Sequence, residues 1–378
     1  MKIVVAIDSF KGSLASLEAG AAAQSGILSV MPTAQVKVFP LADGGEGTCN
    51  AITQGLGGEI KSVVVSNPLG EKISAQFGEI SAQKLAVTEM ANASGLPLVP
   101  LDKRNPLNTT TYGVGEIIRQ AIGDGCRNFI IGIGGSATND CGLGMLTALG
   151  FKFTDVNGKP CGIFGRDLAN VAAIDDGEIL PELSECKFKI ACDVINPLTG
   201  VNGCSAVYAP QKGATPEIVA LMDDWIKNFG NLSAKFLNLD KISVPGDGAA
   251  GGLGFAFRSY LRGELVNGVD LVLDTLNIAD DLKNADILIT GEGRLDNQTA
   301  NGKAPSGVAK LAKKLNPKIL TIGLGGTVAD LSDSAQIDAA FSVLREPMTL
   351  AEAMKKSVAE RNIFRTAADI FRLIQSLH

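Results

Sequence analysis

The chain has 378 residues, of which 46% are apolar and 20% charged, and its formal net charge is −6 at pH 7. That length points to about two domains with room for a sizeable core. The composition excludes long disorder and a collagen-like fibre, the acidic balance gives no footing for a nucleic-acid partner, and no apolar stretch of about 18 residues marks a membrane span.

Lys2 to Ile7 reads as a strand, and Asp8 cuts its apolar run too early for a signal-peptide core. The polar loop Asp8 to Ser13 follows. A helix is expected over Ser16 to Val30, with Leu17, Ala21, Ile27 and Leu28 at helical spacing and Pro32 beyond its end. Gln35 to Leu41 reads as a strand. It leads into the glycine loop Ala42 to Thr48 and a short helix ending near Leu56. Strand, loop, helix, repeated, opens an α/β sheet whose ligands sit beyond the carboxyl ends of its strands. Between about 59 and 90 the runs shorten to Ile60–Ser66, Ile73–Phe77 and Leu85–Glu89, which suggests antiparallel pairing and a change of domain.

A helix is expected from Thr111 to Ile122, with Thr109, Thr110 and Thr111 as N-cap candidates. Arg127 to Ile133 and Lys187 to Asp193 read as strands, Ala220 to Phe236 and Ala249 to Leu261 as helices. Residues 154–190 carry no firm period. Alternation then returns: strand Ala285–Thr290, helix Ala304–Leu315, strand Lys318–Gly323 and a closing helix from about Thr349 to Leu377. The reading is a two-domain α/β protein. A discontinuous open α/β sheet domain of Rossmann or flavodoxin type spans 1–70 plus 280–378, and a second α/β domain, 71–279, is inserted in it.

Some chemistries are removed at once. The only histidine is His378, expected as a solvated tail residue, so a Ser-His-Asp or Cys-His site has no internal imidazole. The seven cysteines form no C-x-x-C pair and read as free thiols of a reducing cytoplasm. Cys192, beside Asp193, reads as a small strand residue rather than a nucleophile. Trp225, Phe229 and Phe236 form a helical stripe that reads as core.

Glycine is the outlier, with 44 residues against a usual share of about 7%. Gly132 to Thr138 and Pro245 to Gly252 are loops able to aim backbone amides at an anion, although tight turns explain such loops equally well. A P-loop is absent, because Gly302-Lys303 is followed by Ala304 and Asn297 stands where the first glycine belongs. Gly246-x-Gly248-x-x-Gly251 matches a dinucleotide fingerprint by letter, with only Lys241 to Val244 before it and Glu264 as the later acid. An NAD(P)-dependent oxidoreductase of a small hydroxy acid is the alternative that rests on it. The sharper signal is the set of carboxylates at strand ends and in glycine loops: Asp8, Asp43, Glu46, Asp140, Asp193, Asp247, Glu292 and Asp296. With Lys11, Lys212, Arg294 and Lys303 nearby in comparable loops, they suggest phosphoryl transfer with Mg²⁺. Any single one of these acids is more readily a cap or turn residue, and it is their collective placement that argues for the site.

Long segments, taken in order, resemble the bacterial two-domain glycerate kinase family. They include Ile7-Asp8-Ser9-Phe10-Lys11-Gly12-Ser13, Ala42-Asp43-Gly44-Gly45-Glu46-Gly47-Thr48, Gly132 to Asp140, Asp193 to Leu198, Pro210 to Ala214, Pro245 to Gly254, and Thr290 to Asp296 with Gln298-Thr299. Ile7 stands where relatives often have proline, and Cys141 where many have glycine. The resemblance implies ATP-dependent phosphorylation of D-glycerate with Mg²⁺, giving ADP and phosphoglycerate, the 2-phospho product favoured over the 3-phospho. Within that reading Asp193 is the candidate to accept or orient the acceptor hydroxyl, with Lys11 and Arg294 as catalytic cations. Gly134, Gly135, Ser136, Gly248 and Lys212 are candidates for nucleotide phosphates, Ser9, Asp43 and Arg294 for the acid substrate, and Glu292 and Asp296 for the metal. The expected partners are these small molecules, with no nucleic acid and no membrane, and with a homodimer left open.

Overall fold

The computed structural model describes residues 1–296, 303–329 and 336–377; Gln298, Thr299, Gly302 and His378 lie outside the described residues. In chain order the strands are β1 (Lys2–Ile7), β2 (Gln35–Pro40), β3 (Glu59–Ser66), β4 (Lys72–Ile80), β5 (Leu85–Glu89), β6 (Asn128–Gly132), β7 (Lys152–Thr154), β8 (Ala173–Asp175), β9 (Lys187–Ala191), β10 (Glu264–Val266), β11 (Ile287–Leu295), β12 (Leu320–Val328) and β13 (Ala339–Ser342). The chain divides into two units: Met1–Asp43 with Asn50–Leu56 and the residues from Val269 onward, and Gly44–Cys49 with Gly57–Gly268.

The first unit is built on a parallel sheet ordered β13-β12-β11-β1-β2. Counted within this unit, the order is 2-1-3-4-5, the flavodoxin-like arrangement, with its switch point between β1 and β11. β1 is central and buried but for its first residue, as a both-faces-covered parallel strand must be. Ile3, Val5 and Ile7 pack with Ile27, Ile363 and Phe371, each fully buried side chain worth about 1.5–3 kcal/mol. The helices Ser16–Val30 and Lys356–Ser376 approach so closely that a Cβ on Gly26 would stand 2.2 Å from the Phe364 carbonyl. Ser16 ties the helix to the strand ends: its hydroxyl donates to the Ile7 carbonyl (2.6 Å) and accepts from the Leu41 amide (2.7 Å). The loops after β1 and β2 therefore start from one fixed point.

The second unit holds the sheet β10-β9-β6-β5-β4-β3, parallel from β10 to β5 and antiparallel from β5 to β3. The short runs between 59 and 90 thus pair as their alternation suggested. β7 and β8 form a separate antiparallel pair. Phe129 and Phe188 stack at 4.8 Å in the core. Phe229 is buried there and Trp225 packs against it, so much of the aromatic stripe is core.

The local reading changes at four points. The units part at 56/57 and 268/269 rather than near 70 and 280, because β3 pairs residue for residue with β4 and so belongs to the second sheet. The closing helix is two helices, Leu350–Ala353 and Lys356–Ser376: a capping box of Thr349 and Glu352 starts the first, and extended backbone at Lys355 separates them. Of the threonines before the helix Tyr112–Gly123, Thr111 spends its hydroxyl on Asp140 (2.8 Å), and it is Thr110 Oγ1 that accepts from the Tyr112 amide (3.1 Å). β13, unassigned from sequence, forms on the edge of the first sheet.

Asp247 shows how the Pro245–Gly254 segment is held. It is fully buried, its carboxylate takes two bonds from the Arg258 guanidinium at 2.8 Å each, and it accepts from the Val244 amide at 2.7 Å. Asp247→Ala should cost about 3 kcal/mol. That is the low end of the roughly 3–5 kcal/mol range for breaking a buried pair, because Arg258 keeps some solvent. Urea unfolding of the variant would check it; a midpoint unmoved from the parent would remove this structural role.

Candidate active site

In the first unit the carboxyl ends of β1, β11 and β12 surround a cavity of about 540 Å³. It lies at the switch point between β1 and β11, where the crossovers diverge and leave the strand ends uncovered. Five residues singled out from sequence line it: Ser9, Lys11, Asp43, Glu292 and Arg294. Asp8 and Lys303 line it as well. The Asp8 amide donates to the Gly291 carbonyl across the β1–β11 pair (2.8 Å), so the parallel ladder itself sets where this acid stands.

The cavity mixes charge of both signs. Asp8 is buried, and its carboxylate accepts from the Ser9 amide at 2.6 Å. Burial pushes Asp8 up to about 7; the Ser9 bond and Lys11 pull it down, while the Asp43 and Glu292 carboxylates add to the rise. Lys303 pairs with Glu292 at 3.5 Å and Arg294 with Asp296 at 3.0 Å. Asp296 is not among the residues lining the cavity. Ser13 Oγ, also in the lining, is buried with no hydrogen-bond partner among the described residues. Among the described residues no three His, Cys, Asp or Glu side chains converge to hold a metal by themselves.

The other expected residues lie in the second unit, along the carboxyl ends of its parallel strands. Gly134 and Gly135 are exposed just beyond β6, and Gly135 needs its φ of +73°. A Cβ on Gly134 would meet only Gly45 Cα, at 3.9 Å, so packing does not demand that glycine. Packing does demand Gly132, where a Cβ would stand 2.4 Å from the Gly44 carbonyl. Ser136 and Lys212 are buried behind the loop: the Lys212 ammonium donates to Ser136 Oγ (2.7 Å) and to the Thr138 carbonyl (2.6 Å), and burial lowers it to about 8. Lys212 therefore braces the loop from inside. The Gly248 amide is committed to the Asn196 carbonyl at 3.0 Å. Asp193, beyond β9, accepts through one oxygen from Asn267 Nδ2 (2.7 Å) and the Gly268 amide (2.8 Å).

Two residues of weight were not singled out as site residues. Asp8 was counted only among the loop acids, though its position at the end of a wholly apolar run was the available signal. Glu89 was missed: buried at the end of β5, it accepts from the Gly47 and Cys49 amides (3.0 and 2.9 Å) and so pins the Gly44–Cys49 loop. Asp140 is fully buried and accepts from Thr111, Gly142 and Gly144, a structural knot rather than a ligand group. The Cys192 thiol is raised by burial and donates to the Val194 carbonyl at 3.4 Å, which suits a strand-end residue and not a nucleophile.

The glycerate kinase family model matches residues 3–375. This chain belongs to that family. It is 45% identical to a glycerate kinase of Halalkalibacterium halodurans over 94% of this chain and 93% of that protein. It is 44% identical to the glycerate 2-kinase of Escherichia coli K12, with 97% and 98% covered. A crystal structure from Salmonella typhimurium LT2, assigned as a glycerate kinase 2, matches with a TM-score of 0.92 and 42% identity over 100% of this chain and 98% of that one. Family membership leaves the oxidoreductase alternative without support, and the fold removes its basis. No strand leads into Gly246, and Ala250 to Gly252 have left-handed backbone where a Rossmann helix would begin. Cys141 has a φ of +51°, a left-handed backbone that a glycine adopts without strain. No helix among the described residues is long and apolar enough to cross a membrane.

Proposed function

We propose that this chain transfers the γ-phosphoryl group of ATP to the 2-hydroxyl of D-glycerate, forming ADP and 2-phosphoglycerate. The observation that carries the reading is the switch-point cavity of the first unit, where Asp8, Asp43 and Glu292 stand with Lys11, Arg294 and Lys303 in a chain of this family. Phosphoryl transfer asks little covalent chemistry of a protein; it asks for positioning and for charge around the moving phosphoryl group. In the reaction an acceptor O–P bond forms, the bond from the γ-phosphorus to the bridging oxygen breaks, and ADP leaves.

Asp8 takes the hydroxyl proton. Its burial keeps it a usable base near neutrality, where an ordinary aspartate is too weakly basic. Lys11 and Arg294 balance the negative charge of the transferred group. The flat Arg294 fork suits a carboxylate or a phosphate, and its bond to Asp296 orients it. Ser9 offers a hydroxyl beside Asp8 for the small acid. Glu292 and Asp43 are the carboxylates that would hold Mg²⁺. Mg²⁺ commonly takes one or two carboxylates and completes its shell with phosphate oxygens and water, so this pair of acids is enough for it. When bound, the ion neutralises phosphate charge.

For the second unit we retain two readings. The exposed amides of Gly134 and Gly135 receive an anionic group, with Ser136 and Lys212 holding the loop, and Asp193 orients the acceptor hydroxyl. Seven cysteines with no disulfide among them are in keeping with the cytoplasm.

The test is ADP release with D-glycerate, ATP and Mg²⁺, followed by phosphorus NMR of the product. ADP that forms only when the acid is present, with phosphate on C2, is the expected result. Absence of acid-dependent ADP would overturn the kinase reading, and phosphate on C3 would overturn the regiochemistry.

A further inference from the structure

One wall of the first-unit cavity has no use in a site for phosphates and a three-carbon acid. Phe10, Leu344, Leu350, Ala353 and Met354 line it. Glycerate carries oxygen on every carbon and fills only a small part of about 540 Å³. Cavities of this size and mixed lining bury ligands with an extended apolar part and a few fixed polar groups. Leu350 is 74% exposed and lies in the lining with the buried Phe10, so the wall is open to an entering ligand. The short helix Leu350–Ala353 has its own capping box and stops before Lys355, and Ala359 and Asn362 of the long helix Lys356–Ser376 also line the cavity. Met354 reaches back over the loop after β1. Its terminal methyl lies 2.7 Å from where a Cβ on Gly12 would stand, and Gly12 has a φ of +74°. A methionine between an aromatic and leucines makes an adaptable apolar surface suited to a flat ring.

We propose that this wall receives the base of the nucleotide, with Phe10, Leu350 and Met354 on the ring and the phosphates running toward Lys11, Arg294 and Lys303. The placement rests on the kinase reading. It makes the first unit the nucleotide-binding one, through side chains rather than through a glycine-rich fingerprint.

The test is calorimetric titration of ADP into the full-length protein and into Leu350→Glu and Met354→Glu, with steady-state kinetics on each. A carboxylate on the wall should weaken ADP at least tenfold and raise the KM for ATP in parallel, while the KM for glycerate stays within about twofold. Leu350 is exposed, so its replacement should leave thermal unfolding unchanged. A second measurement uses the parent protein: ADP should slow amide exchange in the segment 344–354. Unaltered ADP affinity in a variant that still turns over, or ADP protection confined to other segments, would overturn this placement and leave the kinase reading standing. A parent protein that forms no acid-dependent ADP strikes the kinase reading instead, whatever the titration of ADP shows.

Discussion

Asp8→Asn is expected to lower kcat by roughly 10²–10⁴-fold, the usual contribution of a positioned proton acceptor. The fold should survive, because asparagine keeps an oxygen to accept from the Ser9 amide. The pH profile carries the sharper test. Burial and the neighbouring Asp43 and Glu292 carboxylates raise Asp8 to about 7. Below that pH the side chain is protonated and cannot take the hydroxyl proton. The parent enzyme should therefore gain activity as pH rises toward neutrality, and the asparagine variant should lose that rising limb. Stability moves the other way. A folded-state value above the unfolded one means that the folded protein holds more protons from the ordinary carboxylate range up to about 7. Asp8 thus makes the fold less stable as pH climbs through that window, and Asp8→Asn should flatten this slope in urea unfolding. An asparagine variant with near-parent turnover and an intact rising limb would show that the proton goes elsewhere.

Asp193→Asn should lower kcat by about 10²-fold or more with little change in unfolding temperature. An asparagine oxygen still accepts from Asn267 and the Gly268 amide, so the strand end stays anchored while the negative charge is lost. Near-normal turnover would reject the orienting role and leave Asp193 as an anchor for the loop after β10. Comparing the two variants assigns the base. If Asp8 takes the proton, only its replacement removes the rising pH limb, whereas replacing Asp193 lowers the plateau at every pH.

Much of the architecture was readable because apolar spacing is local. The helices Ser16–Val30 and Ala304–Leu315 form with the expected bounds and β1 and β5 match their apolar runs, whereas the helix expected over Ala249–Leu261 is broken in its first turn by left-handed backbone at Ala250 to Gly252. The division of the closing helix was not readable, since both pieces share one helical period and only the backbone at Lys355 separates them. β13 escaped because an edge strand is marked by its partner rather than by its own pattern.

The site was legible in part for a similar reason. Ser9, Lys11, Asp43, Glu292 and Arg294 were identifiable from their loops, and they do line one cavity. Residue type and position could not separate a side chain that faces a ligand from one that supports the loop behind it. Lys212 looked like a phosphate cation and is a buried strut. Gly248 looked like a phosphate amide, and its N–H already serves Asn196. Glu89 drew no attention, yet it holds two amides of a glycine loop.

The order of residues along the chain was enough for the α/β class, the acid-rich glycine loops and the family, because these depend on local periodicity and on short contiguous segments that need no partner to be recognised. Tertiary packing decided which carboxylate is buried beside others and so titrates near neutrality, and where an apolar wall completes a charged cavity. Both depend on groups far apart in sequence meeting at low local dielectric, where burial and neighbouring charge set protonation.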